Sequence, residues 1–338
     1  MGWPNQKLFI AFWLTIGCFL FSSTSGAHVK WFLPVEGEII SAFTPYGLLD
    51  TPVLIWCVVA VLMIVLSIVL DSKLPILPLL ENVRQEYLMY LLKLCTGLSL
   101  LMSAYSGVIF APHLQASAGL GDFLILLEAV IGLLFIANFH IFAATILLLI
   151  LFISVMFVYG VVPALEYLNI LGIACCLQLF HFHPVKLRTQ LKAYSIASLR
   201  VLTGIAIITL GFSEKLLNPE LGEFFVSAYQ WNFMANLGME SFTDQLFVFS
   251  AGVMEVVFGI ILVLGTTTRI NILVVSGFML ASNITFFASR EYSEALTEIF
   301  GHLPIIATAM ILIFFGSGNK LKITELWSRK AADLSKFE

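Results

Sequence analysis

Apolar runs long enough to span a membrane, separated by short polar stretches, set the pattern of this chain. Nine of them lie near 51–70, 88–110, 121–137, 139–160, 164–181, 197–213, 245–264, 270–288 and 299–316. Crossing ~30 Å of hydrocarbon takes roughly 17–25 residues. Every backbone N–H and C=O must be paired within the chain there, so each run is expected to be a helix. A shorter apolar core, LFIAFWLTIGCFLF, follows Lys7 and ends in the small, polar SSTSGA. Ser25 and Ala27 suit the −3 and −1 positions of a signal-peptidase site, so residues 1–27 read as a signal peptide whose removal leaves His28 first. The alternative is a retained, short first helix.

The runs are not independent. Residues 92–115 and 199–222 align at an offset of 107, matching Thr96-Gly97, Ser106 and Pro112 with Thr203-Gly204, Ser213 and Pro219, and Lys93 with Arg200. Further on, Glu128-Ala-Val-Ile-Gly132 aligns with Glu255-Val-Val-Phe-Gly259 at an offset of 127, the extra 20 residues being loop. With four spans in each repeat, both copies point the same way, as a parallel repeat about an axis along the membrane normal. The expected organisation is an outer segment and leading helix (28–87), a first four-helix repeat (88–182), a second (197–318) and a cytoplasmic tail (319–338). The fold class is therefore all-α and polytopic, with two parallel four-helix transmembrane bundles and a leading transmembrane helix.

Composition agrees: 60% of residues are hydrophobic and 11% charged, with mean hydropathy +1.00, against about 25% charged in a soluble domain. The net charge of −4 gives no basic footprint, and nucleic acid is not expected as a partner. Lys73, Arg84, Lys186, Arg188, Lys192, Arg269, Lys320, Lys322, Arg329, Lys330 and Lys336 fall on one side of the spans; Lys30, Lys215 and Arg290 fall on the other. The positive-inside rule then puts the mature amino terminus outside and the carboxyl terminus in the cytoplasm, in a bacterial inner membrane. The five cysteines all lie in apolar runs without a CxxC pair and read as buried apolar side chains.

Residues 197–318 resemble the DoxX family, a four-helix membrane module. The likeness rests on Arg200, Lys215-Leu216, Pro219, the Gly252-Val-Met-Glu255-Val-Val-Phe-Gly259 helix, Arg269 and His302-Leu-Pro304. Residues 88–182 resemble a worn copy that keeps Glu128 and Pro112 but has Val108 for Lys215 and Ile170 for His302. The resemblance implies a membrane subunit that partners an oxidoreductase, in systems such as quinone-linked sulfur oxidation.

The candidate chemistry gathers on intramembrane carboxylates, which are costly and by default functional hypotheses. Glu255 lies about mid-span with Gly252 and Gly259 on its helical face, where another helix can approach closely. Lys215 and Arg269 are its candidate partners. The set reads as a proton-relay or quinone head-group site, or as a buried pair that fixes helix packing. Glu128, with Gly132 beside it and no obvious cation, reads as protonated and hydrogen-bonded; it is a further candidate for contact with a quinone. Glu298 and His302 are spaced to touch, as a proton shuttle, a metal ligand pair or an interfacial anchor. The acidic, aromatic stretch 214–244 suits a surface helix and a lid for an outward-facing site. A freed amino-terminal His28 could offer two nitrogens to copper(II), with His113 and His302 on the same side. No nucleotide-binding loop, CxxCH, HExxH or GxSxG occurs.

The leading expectation is the membrane subunit of a redox system. It would bind a quinone-like partner within the second bundle and dock a periplasmic or membrane redox protein at the outer face. The alternatives are a transporter or copper-handling protein using His28, and a non-catalytic membrane scaffold.

Overall fold

A computed structural model describes residues 29–32, 44–74, 84–182, 185–288, 290–318 and 320–325. The expected signal peptide, His28 and most of the tail lie outside the described residues. The helices are α1 (Thr51–Asp71), α2 (Gln85–Tyr105), α3 (Leu120–Ile136), α4 (Ile141–Tyr159), α5 (Val161–Glu166), α6 (Leu168–Phe180) and α7 (Val185–Lys192). They continue with α8 (Ser195–Gly211), α9 (Pro219–Tyr229), α10 (Phe233–Asn236), α11 (Asp244–Leu264), α12 (Thr268–Ala288) and α13 (Tyr292–Phe315). Among the described residues, six helices are long and apolar enough to cross a bilayer: α1, α2, α4, residues 189–216 through α8, α11 and α13. The protein is an all-α, polytopic membrane protein.

Two groups of four helices form, α2–α3–α4–α6 and α8–α11–α12–α13, and they interlock reciprocally. The last helix of the first group, α6, packs on α8, the first of the second; α13, the last of the second, packs on α2. Within each group the first two helices cross at facing glycines. A Cβ on Gly97 would lie 2.7 Å from the Gly132 carbonyl oxygen, and one on Gly204 would lie 2.7 Å from that of Gly259. Backbones this close gain dispersion contact that no larger residue allows.

The cations aligned between the groups also reach matching helix ends. The Lys93 ammonium reaches Asn138, just past the end of α3. The Arg200 guanidinium donates to the carbonyls of Leu262 and, at 2.7 Å, Val263, at the end of α11. It also reaches Ser317 and Leu321. Arg200 thereby satisfies helix-end carbonyls that lack an intrahelical partner, whereas Lys93 meets a side-chain amide oxygen at the matching place. The leading helix α1 lies on α11, with Trp56 and Met63 against Met254 and Phe258. Its end is pinned by Asp71, which accepts from the Thr267 N–H (2.9 Å) and pairs with Lys322 (2.6 Å). Most of its other apolar side chains, including Val58, Val61 and Leu62, are exposed, as lipid contact requires.

Three helix ends depart from the hydrophobic pattern. The run 88–110 stops as a helix at Tyr105; Gly107 (φ 73°) turns the chain, and Val108–Ile109 and Ala111–Gln115 form a short antiparallel hairpin, β1–β2. Apolar Val108, Ile109 and Phe110 are buried by the hairpin, so hydrophobicity alone could not tell it from helix. The run 164–181 breaks at Tyr167 (φ −104°, ψ 22°), between α5 and α6. The run 197–213 continues to Leu216 through a wider π turn, Phe212–Leu216. All three irregularities meet at one end of the bundle, here called the hairpin end. Over it, α9 and α10 bury Phe225, Trp231 and Met234 against Phe247 and Phe286.

Candidate functional site

The π turn makes the site. In an α-helix, side chains of successive residues point about 100° apart; the wider turn instead brings Ser213, Glu214 and Lys215 all into buried positions. Lys215 Nζ lies 2.9 and 3.0 Å from the two Glu255 oxygens and 3.9 Å from Glu214. The Lys215 side chain is 3% exposed and that of Glu255 14%. Gly252 makes room for this pair, since a Cβ there would sit 2.9 Å from the Lys215 stem. On the other side of the turn, Ser213 Oγ donates to Glu166 at 2.6 Å. One five-residue turn thus ties Glu255 of α11 to Glu166 of α5.

Glu166 is buried at the seam between the two helix groups. It pairs with Lys30 of the Val29–Phe32 turn, and His113 Nε2 stands 4.0 Å from its second oxygen. Next to it, Tyr167 accepts a hydrogen bond from Trp31 Nε1 at 3.0 Å. The Trp31 ring faces His302 (centroids 4.8 Å apart, planes 32° apart). A cavity of about 20 Å³ adjoins, lined by Trp31, Ser99, Phe110, Tyr167, Asn169 and His302 among others. Such a space holds about one water molecule.

Of the residues singled out by sequence, Lys215 and Glu255 meet as expected. Arg269 does not join them: its guanidinium donates to the Ile313 and Phe314 carbonyls (2.9 and 3.0 Å), capping α13 at the opposite end. Arg269 follows the end of α11 and Glu255 lies more than two turns inside it, so the cation stays with the helix-end acceptors beside it. Gly259 is no opening for a ligand, because the Gly204 carbonyl would lie 2.5 Å from a Cβ there. Glu128 accepts from the backbone N–H of Phe110 at 3.1 Å, in the first helix group and apart from Glu255. Glu298 and His302 are both buried. His302 Nδ1 lies 2.8 Å from the Glu298 backbone oxygen, and since a carbonyl only accepts, that nitrogen carries a proton. Glu298 thus orients the imidazole through its carbonyl. His113 and His302 both lie at the hairpin end. Among the described residues, however, no three His, Cys, Asp or Glu side chains are placed to hold a metal ion.

The residues that sequence reading did not single out as sites are Lys30, Trp31, Glu166, Tyr167 and Ser213. Glu166 carried a faint signal as the counterpart of Glu298 at an offset of 132. Lys30 and Trp31 carried none, because their partners stand 136 positions away.

No curated protein and no solved structure matches the chain. The family model described as DoxX matches residues 195–288, a segment holding the π turn, Lys215, Glu255 and Arg269 but not Glu166, Glu298 or His302. The match supports a DoxX-like multi-pass membrane protein.

Proposed function

We propose that this protein is the membrane subunit of a redox system, in which the Lys215–Glu255 pair handles a quinone-like partner and its protons. The observation that carries the reading is a buried ammonium held between two carboxylates, Glu255 and Glu214, in the DoxX-like segment. DoxX-like membrane proteins are often associated with redox systems. Two-electron reduction of a quinone needs two protons at two ring oxygens. An ammonium can hydrogen-bond to a developing oxyanion and donate to it, and the neighbouring carboxylate can take up the replacement proton. Glu255 keeps an accessible edge, where a head group arriving laterally from lipid reaches the pair.

In this reading the hairpin end faces outward from a bacterial inner membrane, with the carboxyl terminus in the cytoplasm. An electron-donating periplasmic or membrane redox protein docks over α9 and α10. The helix groups descend from one duplicated unit, the second keeping the working pair. Quinone-dependent dye reduction by membranes containing the full chain tests the function. Glu255→Gln should lower turnover at least about 100-fold, the scale of removing a positioned acid–base group, while the protein remains folded. Unchanged turnover in folded Glu255→Gln would refute the assignment.

A further inference from the structure

The Val29–Phe32 turn belongs to neither helix group, yet it fills the seam between them. Lys30 meets Glu166, and the indole of Trp31 occupies a flat slot. Gly301 forms the floor of that slot: a side chain there would overlap the Trp31 ring. His302 faces the ring, and the Tyr167 hydroxyl receives its N–H. Phe110 and His113 back Tyr167, with centroids 6.1 and 5.9 Å away. The small cavity continues beside the indole, edged by Ser99 and Asn169. Helices that only needed to pack could close this seam with their own side chains. Here Gly301 holds it open, and the ring of Trp31, from a distant part of the chain, fills it.

We propose that this slot is a binding site for a small neutral aromatic ring bearing an N–H or O–H donor on its edge, an indole or a phenol, and that Trp31 is its tethered occupant. The chemistry is that of the side chain already there: face contact with an imidazole and one hydrogen bond to a buried hydroxyl. A free ring enters by displacing Trp31. Because Lys30 is the adjacent residue, displacement also draws the ammonium away from Glu166, so ring binding and the seam ion pair are coupled. The slot neighbours the Lys215–Glu255 pair through Glu166 and Ser213, but the proposal does not rest on the redox reading.

The test uses the full-length chain in detergent, with indole and phenol as probes and toluene as the control without a donor. Trp31→Ala should bind indole at least about tenfold more tightly than the wild type, because no tethered competitor has to leave. Thermal stabilisation on titration reads this out. Adding Gly301→Leu to Trp31→Ala should abolish the binding. In wild-type protein carrying 5-fluorotryptophan, the fluorine resonance that disappears in Trp31→Phe should shift on saturation with indole. If folded Trp31→Ala gains nothing from indole or phenol, the slot is no binding site. Toluene acting as well as phenol would overturn the donor requirement. A wild-type Trp31 resonance unmoved by saturating indole would make Trp31 a fixed core residue and overturn the proposal, whether or not Trp31→Ala folds.

Discussion

Glu128 and Glu255 occupy matching places in the two helix groups, each four residues before a glycine at a helix crossing, yet they are held by different chemistry. Glu255 has the ammonium of Lys215. Where the second group has Lys215, the first has Val108. Two residues on, Phe110 turns through a left-handed conformation (φ 62°) and points its backbone N–H at Glu128. A bulky residue at positive φ is uncommon and costs of order 1–3 kcal/mol, so something must hold it, and the buried carboxyl is the partner it serves. The lesson is that a buried carboxyl needs a donor, not a particular residue. A backbone amide suffices to keep it in place, whereas an ammonium can also exchange protons. That difference is why the proposed chemistry is assigned to the second group.

The largest effect should come from breaking the pair. Lys215→Met should destabilise the protein by about 3–5 kcal/mol, because the carboxylates around it lose their cation. Lys215→Met with Glu255→Leu should recover most of that, and denaturant unfolding in detergent measures both. If the double variant were no better than the single, the pair would not be the unit described here.

The helix-end cations come next. Arg200→Ala removes charge-assisted bonds to carbonyls at the ends of α11 and α13, at about 1.5–3 kcal/mol for such a bond to a charged group. Lys93→Ala, with one side-chain acceptor, should cost less. Equal losses would show that the carbonyl cluster around Arg200 adds nothing.

The glycine crossings sharpen the comparison from the other side, since there the two groups are alike. Gly97→Val and Gly204→Val should each destabilise by about 1–3 kcal/mol through overpacking, and by similar amounts; thermal unfolding of the two variants checks this. The smallest effect is expected for Glu128→Gln. The amide oxygen still accepts from Phe110, so stability should change by less than about 1 kcal/mol and quinone-dependent turnover should hold. A loss of turnover as large as for Glu255→Gln would erase the functional distinction between the groups.

Much of this architecture is legible in the amino-acid order. Each of the nine apolar runs is at least partly helical, because hydrocarbon leaves the backbone no other partner, and six lie in helices that are long and apolar enough, among the described residues, to cross a bilayer. Lys215 and Glu255 could be paired on paper because both fall in the DoxX-like segment, beside glycines that mark a close crossing. The failures share a cause. Val108-Ile-Phe110 is as apolar as the helix before it, and only its packing under Glu128 selects a hairpin. Arg269 and Lys215 are both basic residues at span ends, and only the fold decides which reaches the carboxylate and which caps a helix.

The sequence by itself determined the class, the approximate positions of most helices and the matching glycine and carboxyl pattern, because these follow from local hydropathy and spacing. The tertiary structure alone decided the seam, where Lys30 and Trp31 meet Glu166, Tyr167 and His302. Burial between two helix groups turns distant residues into neighbours, and a polar group cut off from water takes whichever partner the packing brings within reach.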